Sequence, residues 1–150
     1  LRWRTYILGH AARREGRPFK TPGIAVFQKP HPVAQAQDPA LCRREIEQLP
    51  AEQRLAQSGA QSVWQGTAEQ IPHVLLEIGR LRELSFRAAN EGTGKSVDLD
   101  RFDDHYLHLF IWNAEDSEII GAYRLGATDR ILERQGRQGL YSSTLFDSRM

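Results

Sequence analysis

Apolar positions recur at helical spacing most clearly after Pro72. Val74, Leu75, Ile78, Leu81 and Ser85 fall on one side of the wheel, with Glu77, Arg80, Glu83 and Arg87 on the other. The spacing predicts a helix that opens at Pro72, where a missing N–H costs nothing, runs to about Ala89 and stops at Asn90-Glu91-Gly92. His105 to Trp112 is dense in aromatic and branched residues and reads as a strand. The polar turn 113–117 leads into a second strand, Glu118 to Leu125, so the two predict an antiparallel hairpin. Gln61 to Gln65 is a shorter strand candidate, and a last helix is expected over about Thr128 to Arg134, before Gly136 and Gly139. Upstream, Leu41, Ile46, Leu49 and Leu55 lie among Arg, Glu and Gln and are interrupted by Pro50. They predict two short helices, near 40–48 and 51–57, leading into a turn at Ser58-Gly59. Residues 16–40 hold Gly16, Pro18, Pro22, Gly23, Pro30, Pro32 and Pro39, too many breakers for a helix. Only Gly23 to Gln28 reads there as a short strand, ended by Lys29-Pro30-His31-Pro32. No repeat is visible, and the order of elements is α+β rather than alternating parallel βαβ units.

Composition narrows the class. At 150 residues, with 40% hydrophobic and 26% charged residues and a formal net charge of +1, the chain suits one domain, or the end of one joined to part of another. No stretch approaches the roughly 18 consecutive apolar residues of a membrane span. The start, Leu1-Arg2-Trp3-Arg4, lacks the apolar region of a signal peptide. A lone Cys42 excludes a disulfide framework and a cysteine zinc site. A soluble cytoplasmic chain is the expectation, and both termini read as those of a fragment. Charge is uneven: the first twenty residues carry six basic residues (Arg2, Arg4, Arg13, Arg14, Arg17, Lys20) against Glu15 alone, while residues 51–150 carry 11 basic and 15 acidic. A basic, aromatic-containing start could sit on an anionic membrane surface, on the inner face, or be a solvated arm that docks elsewhere. Without an interleaved aromatic platform, nucleic acid is the weaker partner.

Several constellations invite chemistry. Gly92-Thr93-Gly94-Lys95-Ser96 suggests a phosphate loop, but the required earlier glycine is Ala89, and a helix rather than a strand precedes it. A helix-terminal glycine followed by a turn is the expected role. Asp98, Asp100, Asp103 and Asp104 form an acidic run without the glycine and glutamate of a calcium loop. Placed just before a strand, its carboxylates could hold a substrate ammonium or help deprotonate it. Arg124 lies inside the second hairpin strand, where a buried arginine needs an anion; the acidic run offers one, and a solvent-facing arginine is the alternative. Arg82 and Phe86 are four apart on one helix face. His105 and His108, three apart in a strand, point to opposite faces and do not make a metal pair. There is no Gly-x-Ser-x-Gly elbow, and Cys42 has no histidine nearby in sequence.

Taken together, Glu69-Gln70-Ile71-Pro72, Glu77 to Glu83 and Phe86-Arg87, then Asp98 to Asp103, His108-Leu109-Phe110 and Ile120 to Leu125, resemble a GNAT-type N-acyltransferase domain over roughly residues 60–146. The likeness is greatest to bacterial hemolysin-like proteins, in which that domain follows a lysophospholipid-acyltransferase-like domain. More distantly the chain is similar to ornithine-lipid acyltransferases and acyl-homoserine-lactone synthases. The resemblance implies a partial GNAT-like mixed sheet with an antiparallel hairpin and flanking helices, preceded by a Pro-rich irregular segment. Residues 1–57 would be the tail of a glycerolipid-acyltransferase-like domain plus linker helices, and 58–150 the acceptor half of the GNAT-like domain.

The same resemblance implies function. A fatty acyl group would pass from an acyl thioester, acyl-CoA or acyl carrier protein, to an amine acceptor in lipid metabolism. There would be no acyl-enzyme, no permanently bound cofactor and no metal. By resemblance Asp100, Asp103 and Arg124 are the catalytic residues, and Arg82 and Phe86 contact substrate. The donor-binding loop of such domains is not found after Gly139, so this chain is expected to be inactive alone. The rival reading is a non-catalytic lipid-surface or protein-interaction module.

Overall fold

In the computed structural model, residues 30–145 are described. The expected strand Gly23 to Gln28 and the basic start lie outside them. The elements, in order, are α1 (Pro39–Gln48), β1 (Arg54–Ser58), β2 (Gln61–Thr67), α2 (Pro72–Ala88), β3 (Leu107–Asn113), β4 (Glu118–Leu125) and α3 (Thr128–Gln135). Short 3-10 turns cover Ala51–Gln53, Arg137–Gly139 and Tyr141–Thr144. The strands form one antiparallel sheet in the order β1-β2-β3-β4, with helices packed on it, so the class is α+β.

The predicted helix over 51–57 does not form. After Pro50 the chain makes a single 3-10 turn and then extends, pairing Ser58 with Gln61 across the tight turn at Gly59, whose φ of 57° suits a two-residue hairpin loop. Leu55, which looked like part of a helical stripe, is half exposed, so no buried face favours a helix there. A domain division at residue 58 would cut this β1–β2 hairpin, and α1 shares its core with the sheet.

That core joins Cys42, Ile46 and Leu49 of the α1 region to Ile71, Val74 and Ile78 around α2, and to Trp64, Phe110, Trp112 and Ile119 of the sheet. Pro39 opens α1, and the Asp38 carboxylate accepts from Ala40 N at 2.8 Å. α2 has no cap of its own at Ile71; instead Glu45, from α1, accepts from His73 N (2.9 Å) and Val74 N (3.0 Å). Arg43 ties α1 to the β3–β4 turn by donating to the Ala114 carbonyl (3.0 Å) and Ser117 Oγ (2.6 Å). Among the described residues, no helix is long and apolar enough to cross a membrane.

Two backbone features decide what reaches the site. First, a Cβ built on Gly79 would lie 2.6 Å from Leu99 Cγ, so the acidic loop crosses α2 where α2 has no side chain. Asp98 N donates to the Gly79 carbonyl at 3.0 Å and fixes that crossing. Second, β4 is bulged: Trp112 pairs with Ile119, but Ile111 pairs with Gly121, so Ile120 is an extra residue. Before the bulge the inward position is Ile119; beyond it Ala122 and Arg124 face inward, opposite Phe110 and His108. An unbulged strand would put Arg124 outside, because side chains alternate with period two.

Candidate active site

Arg82 and Phe86 of α2, Asp98 and Asp100 of the acidic loop, and His108 and Arg124 of the hairpin line one cleft of ≈ 510 Å³. Arg82 lies one turn before Phe86 on the helix face above the loop. Its Nε donates to Asp98 Oδ2 (3.2 Å) and its Nη1 to Asp103 Oδ1 (3.0 Å). Arg124 Nη1 donates to Asp100 Oδ1 (2.8 Å) and also pairs with Asp103 Oδ1 (3.2 Å). The alternative of a solvent-facing Arg124 therefore does not hold. Its guanidinium sits by the rings of Tyr141, Tyr106 and Phe102, at 4.9, 5.4 and 5.8 Å from their centroids.

All five residues singled out in the sequence converge here, but they are not equivalent. Asp103 is 1% exposed and lies under the cleft rather than along it. One of its oxygens serves both arginines, and the other accepts from Asp100 N at 2.8 Å. Asp100 lines the cleft. Burial raises its pKa, but the Phe102 N–H and the Arg124 guanidinium outweigh this and hold it below the ordinary aspartate value. For Arg124, burial works against the charge, and Asp103 and Asp100 together more than offset it. Two guanidiniums are thus matched by three carboxylates, Asp98, Asp100 and Asp103. Arg124 Nε and Nη2 and Arg82 Nη2 make no hydrogen bond among the described residues, so donors remain for an anion beside a carboxylate that can take a cation.

His108 and His105 depart from the expectation of one strand with two faces. His105 precedes β3, its Nε2 bonded to the Gly139 carbonyl at 2.8 Å, and it lines a separate pocket. His108 is inside β3, 1% exposed, directly opposite Arg124. Only the bulge at Ile120 brings these two side chains together, which sequence alternation alone does not reveal.

The Gly92-to-Ser96 loop is also more than a turn. Asn90, at φ 61°, takes the left-handed position after α2, while Glu91 N donates to Phe86 O (2.7 Å) and Asn90 N to Arg87 O (3.0 Å). Asn90 is therefore the helix-ending residue, not Gly92. The loop closes on Glu83, expected on the polar side of α2 but fully buried. Glu83 accepts from Thr93 N (3.0 Å), Thr93 Oγ1 (2.6 Å), Gly94 N (2.9 Å) and Arg87 Nε (2.7 Å). The backbone amides that resembled a phosphate cradle thus hold the protein's own carboxylate. A Cβ on Gly92 would sit 2.5 Å from Arg87 Cγ, which explains the glycine. His31 N to Gly94 O and Ala34 N to Ser96 O, both 2.9 Å, pin the Pro-rich segment across this loop.

The Thr93 hydroxyl leads the interactions that hold Glu83 at a pKa of about 2 against an ordinary 4.5. A depressed carboxyl pKa stabilises the fold fully above the unfolded value and loses that effect as pH falls through the folded one. Glu83→Gln is expected to melt lower than the parent at pH 7. Its melting temperature should also fall less steeply between pH 4.5 and 2, as thermal unfolding across that window would show.

Part of the chain is similar to known proteins. Residues 81–150 match the family model described as Acetyltransferase (GNAT) domain, a stretch that takes in Arg82, Phe86, the acidic loop and the whole hairpin. The antiparallel sheet with flanking helices agrees with part of that fold. The chain is 41% identical over 85 residues to a glycine N(alpha)-acyltransferase of Phocaeicola vulgatus, covering 54% of this chain and 26% of that protein. It is 46% identical over 84 residues to a glycine N(alpha)-acyltransferase of Bacteroides thetaiotaomicron, covering 53% of this chain and 25% of that protein. The chain thus spans about a quarter of the length of these relatives. No solved structure matches it.

Proposed function

We propose that this chain carries the acceptor side of an N-acyltransferase that moves a fatty acyl group from a thioester, of coenzyme A or of acyl carrier protein, onto the amino group of an amino acid, glycine being the acceptor the relatives' names indicate. The observation that carries the reading is the pairing of opposite charges in one cleft: the Asp100 carboxylate beside the unengaged N–H groups of Arg124 and Arg82. A zwitterionic acceptor matches both, its ammonium at Asp100 and its carboxylate at the guanidiniums. Phe86, over a third exposed, offers an apolar wall to the incoming acyl group. Asp103 serves as the buried brace between the two arginines. The amine attacks the thioester carbonyl, an N–C bond forms, the C–S bond breaks and the thiol leaves, with no acyl-enzyme. A place in lipid metabolism, a preceding glycerolipid-acyltransferase-like domain ahead of α1, and a cytoplasmic, membrane-peripheral location belong to the same proposal, since a fatty N-acyl product partitions to membrane.

The test is thiol release by the full-length protein from a long-chain acyl thioester, with and without glycine, and mass detection of N-acylglycine. Glycine-dependent release is the expected result. Thioester cleavage indifferent to any amine, or none at all, overturns the reading.

A further inference from the structure

Acyl transfer to an amine needs somewhere for the amine's proton to go, and the carboxylates of the cleft are poor candidates. Asp100 is held ionised by Arg124 and the Phe102 N–H, and Asp98 is bound by Arg82. Asp103 has both oxygens occupied and does not line the cleft. His108 does line it. Its Nε2 lies 2.8 Å from the Asp103 carbonyl oxygen, which can only accept, so Nε2 carries the hydrogen and Nδ1 of the neutral ring presents a lone pair. Nδ1 has no partner among the described residues. No side-chain nitrogen or oxygen among them is both fully buried and unpartnered, so Nδ1 keeps some exposure, and the cleft is the space that His108 lines.

We infer that His108 is the catalytic base that takes the acceptor amine's proton, an inference that rests on the acyl-transfer reading above. The ammonium, docked at Asp100, gives one proton to His108 Nδ1 and becomes the attacking amine. The N–C bond forms, and the second proton leaves nitrogen as the C–S bond breaks, ending on the departing thiolate. The imidazolium then returns its proton to water. The acidic loop thereby supports the base as well as the acceptor: the Asp103 carbonyl fixes the ring's tautomer while its carboxylate braces the arginines.

The surroundings set the pH response. The cleft that His108 lines is also lined by Arg82 from α2, Arg124 from β4, Asp98 and Asp100 from the loop, and Glu91 and Tyr141 on the remaining walls, while Asp103 bonds the ring through its carbonyl and Tyr123 points to the outer face of β4. Burial dominates and lowers its pKa below the ordinary histidine value, aided by the two arginines and opposed by Asp103, so the ring is neutral at pH 7.

The experiment uses the full-length protein, a long-chain acyl thioester and glycine, and compares wild type with His108→Gln and His108→Ala. Glutamine keeps an amide donor for the Asp103 carbonyl but has no basic nitrogen. His108→Gln is expected to keep its melting temperature and its KM for glycine within about threefold, and to lose at least about 100-fold in kcat. Added imidazole should restore turnover to His108→Ala in proportion to its free-base concentration. Near-wild-type kcat in His108→Gln overturns the inference while leaving the acyl-transfer reading intact. So does a loss confined to KM or to melting temperature, with no rescue by imidazole. No glycine-dependent turnover by the wild type overturns both.

Discussion

Asp103→Asn is expected to lower the unfolding free energy by about 3 kcal/mol, near the bottom of the range for removing one partner of a buried ion pair. The carboxylate is 1% exposed and holds Arg82 at 3.0 Å and Arg124 at 3.2 Å on one oxygen. Its second oxygen accepts from Asp100 N. An amide cannot supply both: one of its ends is a donor, and it meets either a guanidinium or a backbone N–H. The figure falls at the lower end because Arg82 keeps Asp98 and Arg124 keeps Asp100, so neither cation is left without a carboxylate. The neighbouring Asp104 is exposed, and Asp104→Asn should stay within about 0.5 kcal/mol of the parent. Urea denaturation of both variants checks the contrast, a shift in midpoint at constant slope being the signature of a pure stability change. Equal midpoints for the two would mean that the cluster does not hold the loop.

The sequence carried much of this site for a physical reason. Helix α2 and the hairpin β3–β4 are local structures, written by periodicities of 3.6 and 2 within short windows, so Arg82, Phe86 and Arg124 could be placed on elements directly. The acidic run was legible as charge beside a strand. What stayed hidden depends on contacts between segments far apart in the chain. Glu83 reads as a surface residue of an amphipathic helix until Thr93 and Gly94 fold back on it and satisfy its oxygens. The partnership of His108 with Arg124 depends on one extra residue, Ile120, which reverses the side-chain parity of β4 midway. The segment 51–57 reads as helix because Leu55 continues a helical spacing, whereas the backbone of Arg54–Ser58 is claimed by β2. In each case tertiary pairing overrode a correct local pattern.

Arg124→Lys should separate recognition of the acceptor from its chemistry. In the proposed site Arg124 binds two carboxylates through Nη1 and keeps Nε and Nη2 for the carboxylate of the amino acid, with Tyr141, Tyr106 and Phe102 holding the guanidinium plane. Lysine retains the charge but is a point donor with no fork and no planar face to stack. It can satisfy the acidic loop or the substrate, and the loop is nearer. A hydrogen bond to a charged group is worth about 1.5–3 kcal/mol, so the KM for glycine should rise roughly 10- to 150-fold with kcat much less affected. Methylamine supplies the reactive nitrogen without the carboxylate, and its far weaker turnover should be almost unchanged by the substitution. Steady-state kinetics with the two acceptors in the full-length protein decides the matter. Equal penalties for glycine and methylamine would assign Arg124 to bracing the loop alone and would leave recognition of the carboxylate to Arg82, whose Nη2 is the other unengaged donor in the cleft.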